Sequence, residues 1–261
     1  WKENLQISVL TDHTQAVTGR ERIEPQKAPL LGVVQVIPRE YSNLTSQSID
    51  IEIPGTGEER ERLHRQLLAE LIPGTQETMI ALRGNYRWVR EYEPHPQEAP
   101  GPETPRIKPR GVYLVVGGLG GIGLVLAGYL ATAVKARLIL IGRTPLPPRE
   151  EWEHWMKTNE AQDGTGNKIR EILRMEAEGA EVLVLNADVA EKAQMEQAIA
   201  RARQRYGKID GVIHSAGVPG GGLIQRRTRE MSEQVLNSKI TGTLILDELL
   251  GEDELDFFIL C

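Results

Sequence analysis

Hydrophobic and polar positions follow their most regular pattern between Gly111 and Thr144. The run Val112–Val116 is short and apolar throughout, as expected of a strand buried on both faces of a parallel sheet. Leu124–Val134 is apolar almost all round, which predicts a helix buried against that sheet, and Arg137–Ile141 is typical of the next strand. The stretch therefore predicts strand, glycine-rich turn, helix and second strand, in that order.

Strands and helices continue to alternate through the rest of the second half. Helices are predicted over Ile169–Ala177, over Met195–Tyr206 and from the capping residue Thr228 to about Leu250, and strands over Val182–Leu185, Ile209–Ile213 and Leu255–Leu260. This alternation is typical of a doubly wound, Rossmann-like parallel sheet, so the predicted fold class is α/β.

Residues 1–93 follow a different, β-rich pattern. Strands are predicted over Leu5–Leu10, Gly32–Ile37 and Ser48–Ile53, a helix over Glu58–Ile72, and a hairpin from Met79–Leu82 to Tyr86–Val89 around Gly84-Asn85. This half has no glycine-rich phosphate turn and no cluster of ligating residues, so it is interpreted as scaffold. Six prolines between Pro94 and Pro109 indicate a semi-extended connector. We place the domains at 1–105 and 106–261.

Composition and charge narrow the classes of partner. The 261 residues carry a net charge of −6, which gives no general attraction to nucleic acid or to an anionic membrane. The single cysteine, Cys261, excludes an internal disulfide framework and favours a reducing, cytoplasmic location. No apolar run reaches the roughly 18 residues of a membrane span. No metal site is predicted, and the start at Trp1 is expected of a piece of a longer chain.

The turn between the first strand and helix of the second half is the strongest candidate binding site. A helix that begins on glycines directs free N–H groups and its positive dipole end at a bound group, and a pyrophosphate suits that position. Glycine is needed because a side chain would hold the phosphates away from the backbone. The candidate cofactor-binding residues of this turn are Gly117, Gly118, Leu119, Gly120, Gly121, Ile122 and Gly123.

The residues after the second strand select the cofactor. An acidic residue about 20 positions after the glycine turn would bind a ribose 2′-hydroxyl and favour NAD. This chain has Arg143 and Thr144 there. A guanidinium and a hydroxyl suit a 2′-phosphate, so the sequence predicts NADP(H).

Two further strand ends carry candidate cofactor contacts. Asp188 and Val189 follow the third strand, and Asp188 either accepts a hydrogen bond from an adenine amino group or caps the next helix. The small residues Ser215, Ala216 and Gly217 follow the fourth strand and would let a cofactor lie close to the backbone. His214, just before them, is interpreted as a core or hydrogen-bonded histidine rather than an acid or base.

Lys239 is the remaining candidate. It lies four residues after Val235 and three after Leu236, on the apolar stripe of the last helix, so we expect it on the core side. An ammonium there either lines a cavity and has a function, or extends along its stem to solvent.

These blocks together resemble the ketoreductase domain of modular type I polyketide synthases, within the short-chain dehydrogenase/reductase superfamily. The blocks are GGLGGIG at 117–123, GRT at 142–144, DV at 188–189, HSAG at 214–217, NSKITG around Lys239, LDFFILC at 255–261, and, in the front half, KAPLLGVV at 27–34 and REY…SIDIEIP at 39–54. The resemblance implies that the front half is a partial, degenerate Rossmann-like structural subdomain that binds no nucleotide.

The resemblance also implies an activity. NADPH would reduce a β-ketoacyl group, tethered to an acyl carrier protein by a phosphopantetheine arm, to a β-hydroxyacyl group, beside neighbouring synthase domains. The family uses a serine, a tyrosine and a lysine, and the lysine matches Lys239 as the catalytic residue present here. The serine and tyrosine have no counterpart in this chain, which suggests a partial chain cut before them. A catalytically inactive ketoreductase-like structural domain is the alternative.

Overall fold

The computed structural model describes residues 3–72, 77–96, 106–158 and 164–261. The chain divides into two compact units, one of residues 1–96 with 222–227 and the other of residues 97–221 with 228–261. The predicted boundary after residue 105 and most of the proline connector lie outside the described residues, so that boundary stays a prediction. No helix among the described residues has both the length and the apolar character needed to cross a membrane.

The first unit is built on a four-stranded sheet in the order β1-β2-β3-β4. Strands β1, β2 and β3 are parallel, and β4 returns antiparallel to β3 through a turn in which Gly84 has a φ of +54°. The elements are β1 Leu5–Asp12, α1 Pro29–Glu40, β2 Leu44–Ile51, α2 Gly57–Glu70, β3 Met79–Arg83 and β4 Tyr86–Val89, with a 3₁₀ turn at Pro25–Lys27. The predicted hairpin is confirmed.

The strand predicted over Gly32–Ile37 is wrong, because that run lies inside helix α1. Pro29 occupies the first turn, where a helix does not use its N–H group and the fixed φ of proline suits the helix. Val34 is buried against β2, and its carbonyl accepts a hydrogen bond from the Ser46 hydroxyl. An apolar run this short fits either periodicity, and packing of one side on the sheet decides for the helix.

The second unit is a five-stranded, fully parallel sheet in the order β7-β6-β5-β8-β9. Its elements are β5 Val112–Val116, α3 Gly121–Val134, β6 Arg137–Gly142, α4 Trp152–Thr158, α5 Gly164–Ala177, β7 Glu181–Asn186, α6 Lys192–Tyr206, β8 Gly211–His214, α7 Arg229–Leu236, α8 Gly242–Leu250 and β9 Phe257–Leu260, with a 3₁₀ turn at Arg149–Glu151. A further 3₁₀ turn, Ile224–Arg226, belongs to the first unit. The predicted α/β class is confirmed.

Helices cover both faces of this sheet, so its central strands are buried. Successive residues of β5 enter opposite clusters: Leu114 packs with residues of α6 and α8, whereas Tyr113 packs with residues of α3 and α5. Strand order reverses about β5, whose neighbours are β6 and β8. Ligands of doubly wound folds bind at that reversal, outside the carboxyl ends of the strands.

The last long helix contains one π-helical turn, Asn237–Thr241, between α7 and α8. The Thr228 hydroxyl accepts a hydrogen bond from the Met231 N–H, which confirms the predicted cap. The inserted turn changes which side chains face the sheet. The buried positions are Ser238, Gly242, Ile245, Leu246 and Leu250. Lys239 is therefore exposed, and its predicted place on the core side is wrong.

Candidate functional site

A cleft of about 230 Å³ opens at the carboxyl ends of β5, β6, β7 and β8. Four segments that are far apart in sequence meet there because parallel strands end at the same edge of a sheet. Ten predicted cofactor-binding residues line it: Gly117, Leu119, Gly120, Arg143, Thr144, Asp188, Val189, Ser215, Ala216 and Gly217. The structure therefore brings most of the predicted site into one cleft.

The glycine turn is packed too tightly for side chains at three positions. Gly117 has a φ of +78°, and a Cβ atom there would lie 2.5 Å from the Ala216 nitrogen. A Cβ atom on Gly123 would lie 2.3 Å from the Gly117 oxygen, and one on Gly118 would lie 2.7 Å from the Val115 oxygen. Gly117 lets the turn after β5 lie directly against the segment that follows β8, whereas Gly118 and Gly123 let the turn fold tightly on itself and on β5.

The same turn leaves the start of helix α3 open to a ligand. Gly120 is the N-cap, and none of the described side chains caps the helix. A Cβ atom added at Gly121, the first helical residue, would meet nothing within 4 Å. Free N–H groups, the positive end of the helix dipole and open space together fit a pyrophosphate.

The residues beyond β6 make one end of the cleft cationic. Asn186 donates hydrogen bonds to the carbonyls of Gly142 (3.0 Å) and Arg143 (2.7 Å), which fixes this backbone next to β7. The Arg143 side chain is exposed and makes no ion pair within the described residues. Lys168, near the start of α5, lines the same cleft and also makes no ion pair there.

Sequence analysis missed Lys168. It belongs to none of the recognised blocks, and it lies on a helix whose nearest apolar neighbour, Ile169, only indicates packing. One pattern in the sequence points to Lys168: it comes directly before a core residue near the start of a helix that connects two strands. Many solvent-exposed lysines share that pattern, so it does not single out this one.

Asp188 holds the turn that follows β7. Its carboxylate Oδ1 accepts a hydrogen bond from the Ala190 N–H at 3.0 Å, and its own N–H donates to Gln194 Oε1 at 2.9 Å. The N-cap of α6 is Glu191, so Asp188 shapes the turn before the helix rather than capping it. Its contact with an adenine amino group stays a prediction.

Val189, next in the chain, packs against the last helix. It is buried, and its Cγ1 lies 2.7 Å from where a Cβ on Gly242 would be. Close contact between these two residues joins the end of β7 to α8.

The segment after β8 connects the cleft to Lys239. Both the N–H and the hydroxyl of Ser215 donate to the Val116 carbonyl, at 2.8 and 3.0 Å. The Lys239 Cε lies 3.2 Å from where a Cβ on Gly217 would be, so the lysine stem passes close to the backbone of Gly217. The Lys239 ammonium donates a hydrogen bond to the main-chain oxygen of Cys261, the residue after β9. Lys239 thus stands beside the cleft rather than in its wall.

His214 is a buried, hydrogen-bonded histidine, as predicted. Its Nε2 lies 3.0 Å from the Ser238 carbonyl, and because a carbonyl only accepts, this nitrogen carries the proton. Burial lowers the pKa of His214 below its ordinary value, the bond to Ser238 raises it less, and the nearby Lys239 charge also lowers it. The imidazole is therefore neutral near pH 7.

Comparison with known proteins matches this arrangement to one family. The family model described as KR domain matches residues 111–261, more than half of the chain. The 6-methylsalicylic acid synthase of Penicillium expansum is 32% identical over 262 residues, covering 98% of this chain. The polyketide synthase PksL of Bacillus subtilis is 32% identical over 263 residues, covering 99% of it. The chain belongs to the ketoreductase (KR) domain family of polyketide synthases.

Solved ketoreductase structures share the fold. A ketoreductase domain from the bacillaene assembly line superposes with a TM-score of 0.75 at 25% identity, over 99% of this chain and 54% of that one. The chain spans 14% of the Penicillium synthase and 6% of the Bacillus synthase. KR domains are oxidoreductases of multidomain synthases, so the comparisons support the family and its class of chemistry.

Not every predicted residue of this KR domain lines the cleft. Gly118 and Gly123 are packing positions, whereas Gly121 and Ile122 lie exposed on the first turn of α3. Ser238 lines the cleft without having been predicted. No group of three or more His, Cys, Asp or Glu within the described residues is placed to hold a metal ion.

In the first unit, the start of helix α2 is capped by its own side chains. Helix α2 begins with a capping box in which the Glu59 carboxylate accepts the N–H groups of Gly55 (2.8 Å) and Thr56 (3.0 Å), and the Thr56 hydroxyl accepts the Glu59 N–H. A carboxylate at this helix start repels an anion. That the first unit is scaffold stays a prediction.

Proposed function

We propose that this chain binds NADPH and forms the cofactor-binding part of a ketoreductase that reduces a β-ketoacyl group to a β-hydroxyacyl group. The substrate is carried on an acyl carrier protein by a phosphopantetheine arm, within a synthase that contributes neighbouring domains. The observation that carries the proposal is the glycine turn at the start of α3, which no described side chain caps, in one cleft with Arg143, which makes no ion pair within the described residues.

Different residues of the cleft would contact different parts of the cofactor. The backbone of Gly117 and Gly120 would hold the pyrophosphate, while Arg143 and Thr144 would bind the 2′-phosphate by charge-assisted hydrogen bonds. Asp188 would accept a hydrogen bond from the adenine amino group. When bound, NADPH supplies a hydride to the ketone carbon.

The other half of the cleft would orient the reacting end. The side chains of Ser215, Ala216 and Gly217 are small, so the nicotinamide ring and its ribose could lie close to the backbone at the end of β8. The Lys239 ammonium, beside Gly217, would donate to the ribose hydroxyls and lower the pKa of the proton-donating tyrosine of the family. That tyrosine and the family's serine have no counterpart in the 261 residues, so reduction is tested on the synthase and binding on this chain.

A titration of this chain tests the choice of cofactor. NADPH is expected to bind more tightly than NADH, and Arg143→Ala should weaken NADPH about 10- to 100-fold because a charge-assisted hydrogen bond is worth roughly 1.5–3 kcal/mol. Affinity for NADH should stay within about twofold. Equal affinity of the wild type for both cofactors would remove the role given to Arg143.

A second experiment separates an active reductase from an inactive structural domain. In the synthase, Lys239→Ala is expected to abolish ketone reduction while the domain stays folded, and Lys192→Ala, outside the cleft, should retain it. A synthase in which this domain binds NADPH yet its carrier-bound ketone persists in the wild type would establish the inactive alternative.

A further inference from the structure

The Lys239 ammonium is presented by an irregular element rather than by a regular helix. Lys239 is the third residue of the π-helical turn Asn237–Thr241. In this turn the Gly242 N–H donates a hydrogen bond to the Asn237 carbonyl, five residues earlier in the chain. A π turn is less favourable than α-helix and recurs at functional sites, so something outside the helix has to stabilise it.

The outside support comes from the end of strand β8. His214 is 2% exposed, and its Nε2–H donates to the carbonyl of Ser238, the residue immediately before Lys239. Ser238 itself is 9% exposed, so water competes poorly for this bond. The imidazole therefore joins the sheet to the π turn across 24 positions of sequence.

The environment of the second ring nitrogen of His214 shows that the hydrogen bond to Ser238 fixes the tautomer and the orientation of the imidazole. Nδ1 is buried and has no hydrogen-bond partner within the described residues. The alternative tautomer would place the proton on that nitrogen and leave the Ser238 carbonyl facing a lone pair, so one tautomer and one ring orientation are favoured.

The lysine side chain in turn depends on where the π turn lies. Its Cε passes 3.2 Å from the place of a Gly217 Cβ, and Gly217 follows His214 by only three residues. The same short segment thus bounds the lysine stem and holds the backbone from which it extends. A shift of the turn would displace the ammonium relative to the cleft.

We propose that His214 is a positioning residue, whose hydrogen bond to the Ser238 carbonyl holds the π turn that sets the Lys239 ammonium beside Gly217. His214 touches neither substrate nor cofactor in this assignment and acts through Lys239. The functional part of this inference rests on the role given to Lys239 under the proposed function. The contact between His214 and the π turn is independent of that role.

Hydrogen exchange and lysine labelling test the coupling on this chain. His214→Leu removes the donor and keeps apolar bulk, and it should speed exchange of the Gly242 amide about tenfold over that of the α6 amides. Pulse acetylation of Lys239 should rise about threefold relative to Lys192, because the ammonium leaves the Cys261 carbonyl more often. His214→Gln, whose terminal amide reaches the same carbonyl, should restore both measurements.

The matched control is Ile213→Ala, one residue earlier in β8 and equally buried, but packed on the opposite face. It should lower overall stability without changing the ratio of Gly242 to α6 exchange. If His214→Leu does not fold, His214→Asn, whose amide is too short to reach Ser238, takes its place.

The outcomes separate the two proposals. Unchanged exchange and labelling in folded His214→Leu, or changes that Ile213→Ala reproduces, would overturn the positioning role while leaving NADPH binding as measured. Wild-type chain that binds no NADPH would overturn the proposed function, and the exchange comparison would still decide the role of His214.

Discussion

At the scale of single residues, the chemistry of the cleft depends on charges that have no partner within the described residues. Arg143 and Lys168 both line the cleft and make no ion pair there, whereas most other described arginines and lysines of the second unit pair with carboxylates. Two cationic side chains attract a doubly charged phosphate more strongly than one does. We therefore expect Lys168 to share the 2′-phosphate with Arg143.

Replacement of Lys168 by glutamine tests this expectation. Lys168→Gln should weaken NADPH binding about 3- to 10-fold, since a partly exposed ion pair contributes on the order of 1 kcal/mol, and should leave NADH within about twofold. Isothermal titration at low and high salt measures it, and the difference should shrink with added salt. Lys192→Gln, whose lysine pairs with Glu248 outside the cleft, is the control; equal losses in both variants would contradict the assignment.

The buried His214 gives the fold a dependence on pH. Burial lowers its pKa in the folded state below the roughly 6.5 of an unfolded chain, so the unfolded state binds a proton first as the pH falls. Its stabilising contribution is therefore present above about pH 6.5 and is lost as the pH falls through the folded-state pKa.

Urea unfolding of wild type and His214→Gln between pH 7.5 and pH 5 measures this effect. The wild type should lose free energy of unfolding over that range, and His214→Gln should lose less. His64→Gln, at an exposed position of α2, is the matched control. Parallel slopes for all three proteins would show that His214 contributes no acid sensitivity.

At the scale of elements, the turn between β5 and α3 requires glycine at some positions and only tolerates it at others. Gly117 needs glycine because its φ is +78° and a Cβ atom would overlap the backbone at Ala216. Gly121 is helical, and a Cβ atom there would meet nothing within 4 Å. Five glycines that look alike in the sequence are thus constrained by different neighbours.

Two alanine substitutions distinguish these positions. Gly117→Ala should lower the free energy of unfolding by about 1–3 kcal/mol, since strained backbone and overlap both add cost, and should weaken NADPH binding. Gly121→Ala should leave stability unchanged or raise it by up to about 1 kcal/mol, because alanine favours helix. Chemical denaturation monitored by far-ultraviolet circular dichroism measures both, and equal stability of the two variants would contradict the geometry.

At the scale of the whole molecule, each of the two units has a core of its own, and the core of the first unit includes a buried ion pair. In the first unit Asp50 is fully buried and pairs with Arg83 at 2.5 Å. Burial alone would raise the pKa of Asp50, yet hydrogen bonds from Thr14 and Arg83 outweigh it and hold that pKa below its ordinary value. The cleft residues all belong to the second unit.

Arg83→Met tests whether the two cores are separable. It leaves the Asp50 carboxylate buried without its cation, which should destabilise the first unit by about 3–5 kcal/mol. NADPH affinity should stay within about twofold, as measured by titration below the unfolding temperature. Arg65→Met removes an exposed pair with Glu61 and should change neither property. Loss of NADPH binding in folded Arg83→Met would show that the cleft depends on the first unit.

Local patterns were enough to predict most of the second unit. The apolar run Val112–Val116 became β5 with the predicted bounds, and the glycine turn, Arg143 and the small residues after β8 converge on one cleft. These features are readable because burial between helices leaves continuous apolar runs, and because a turn that crowds backbone admits only glycine.

Other features depend on contacts between segments that are distant in the chain. Packing on β2 makes a helix of Gly32–Ile37, and the π turn moves Lys239 away from the core face that a regular helix would give it. Lys168 enters the cleft only because α5 begins beside the ends of β6 and β7. Periodicity fixes which side of an element is apolar, whereas the hydrogen bonds and packing of remote partners, such as His214 with Ser238, fix its register and hence the chemistry it presents.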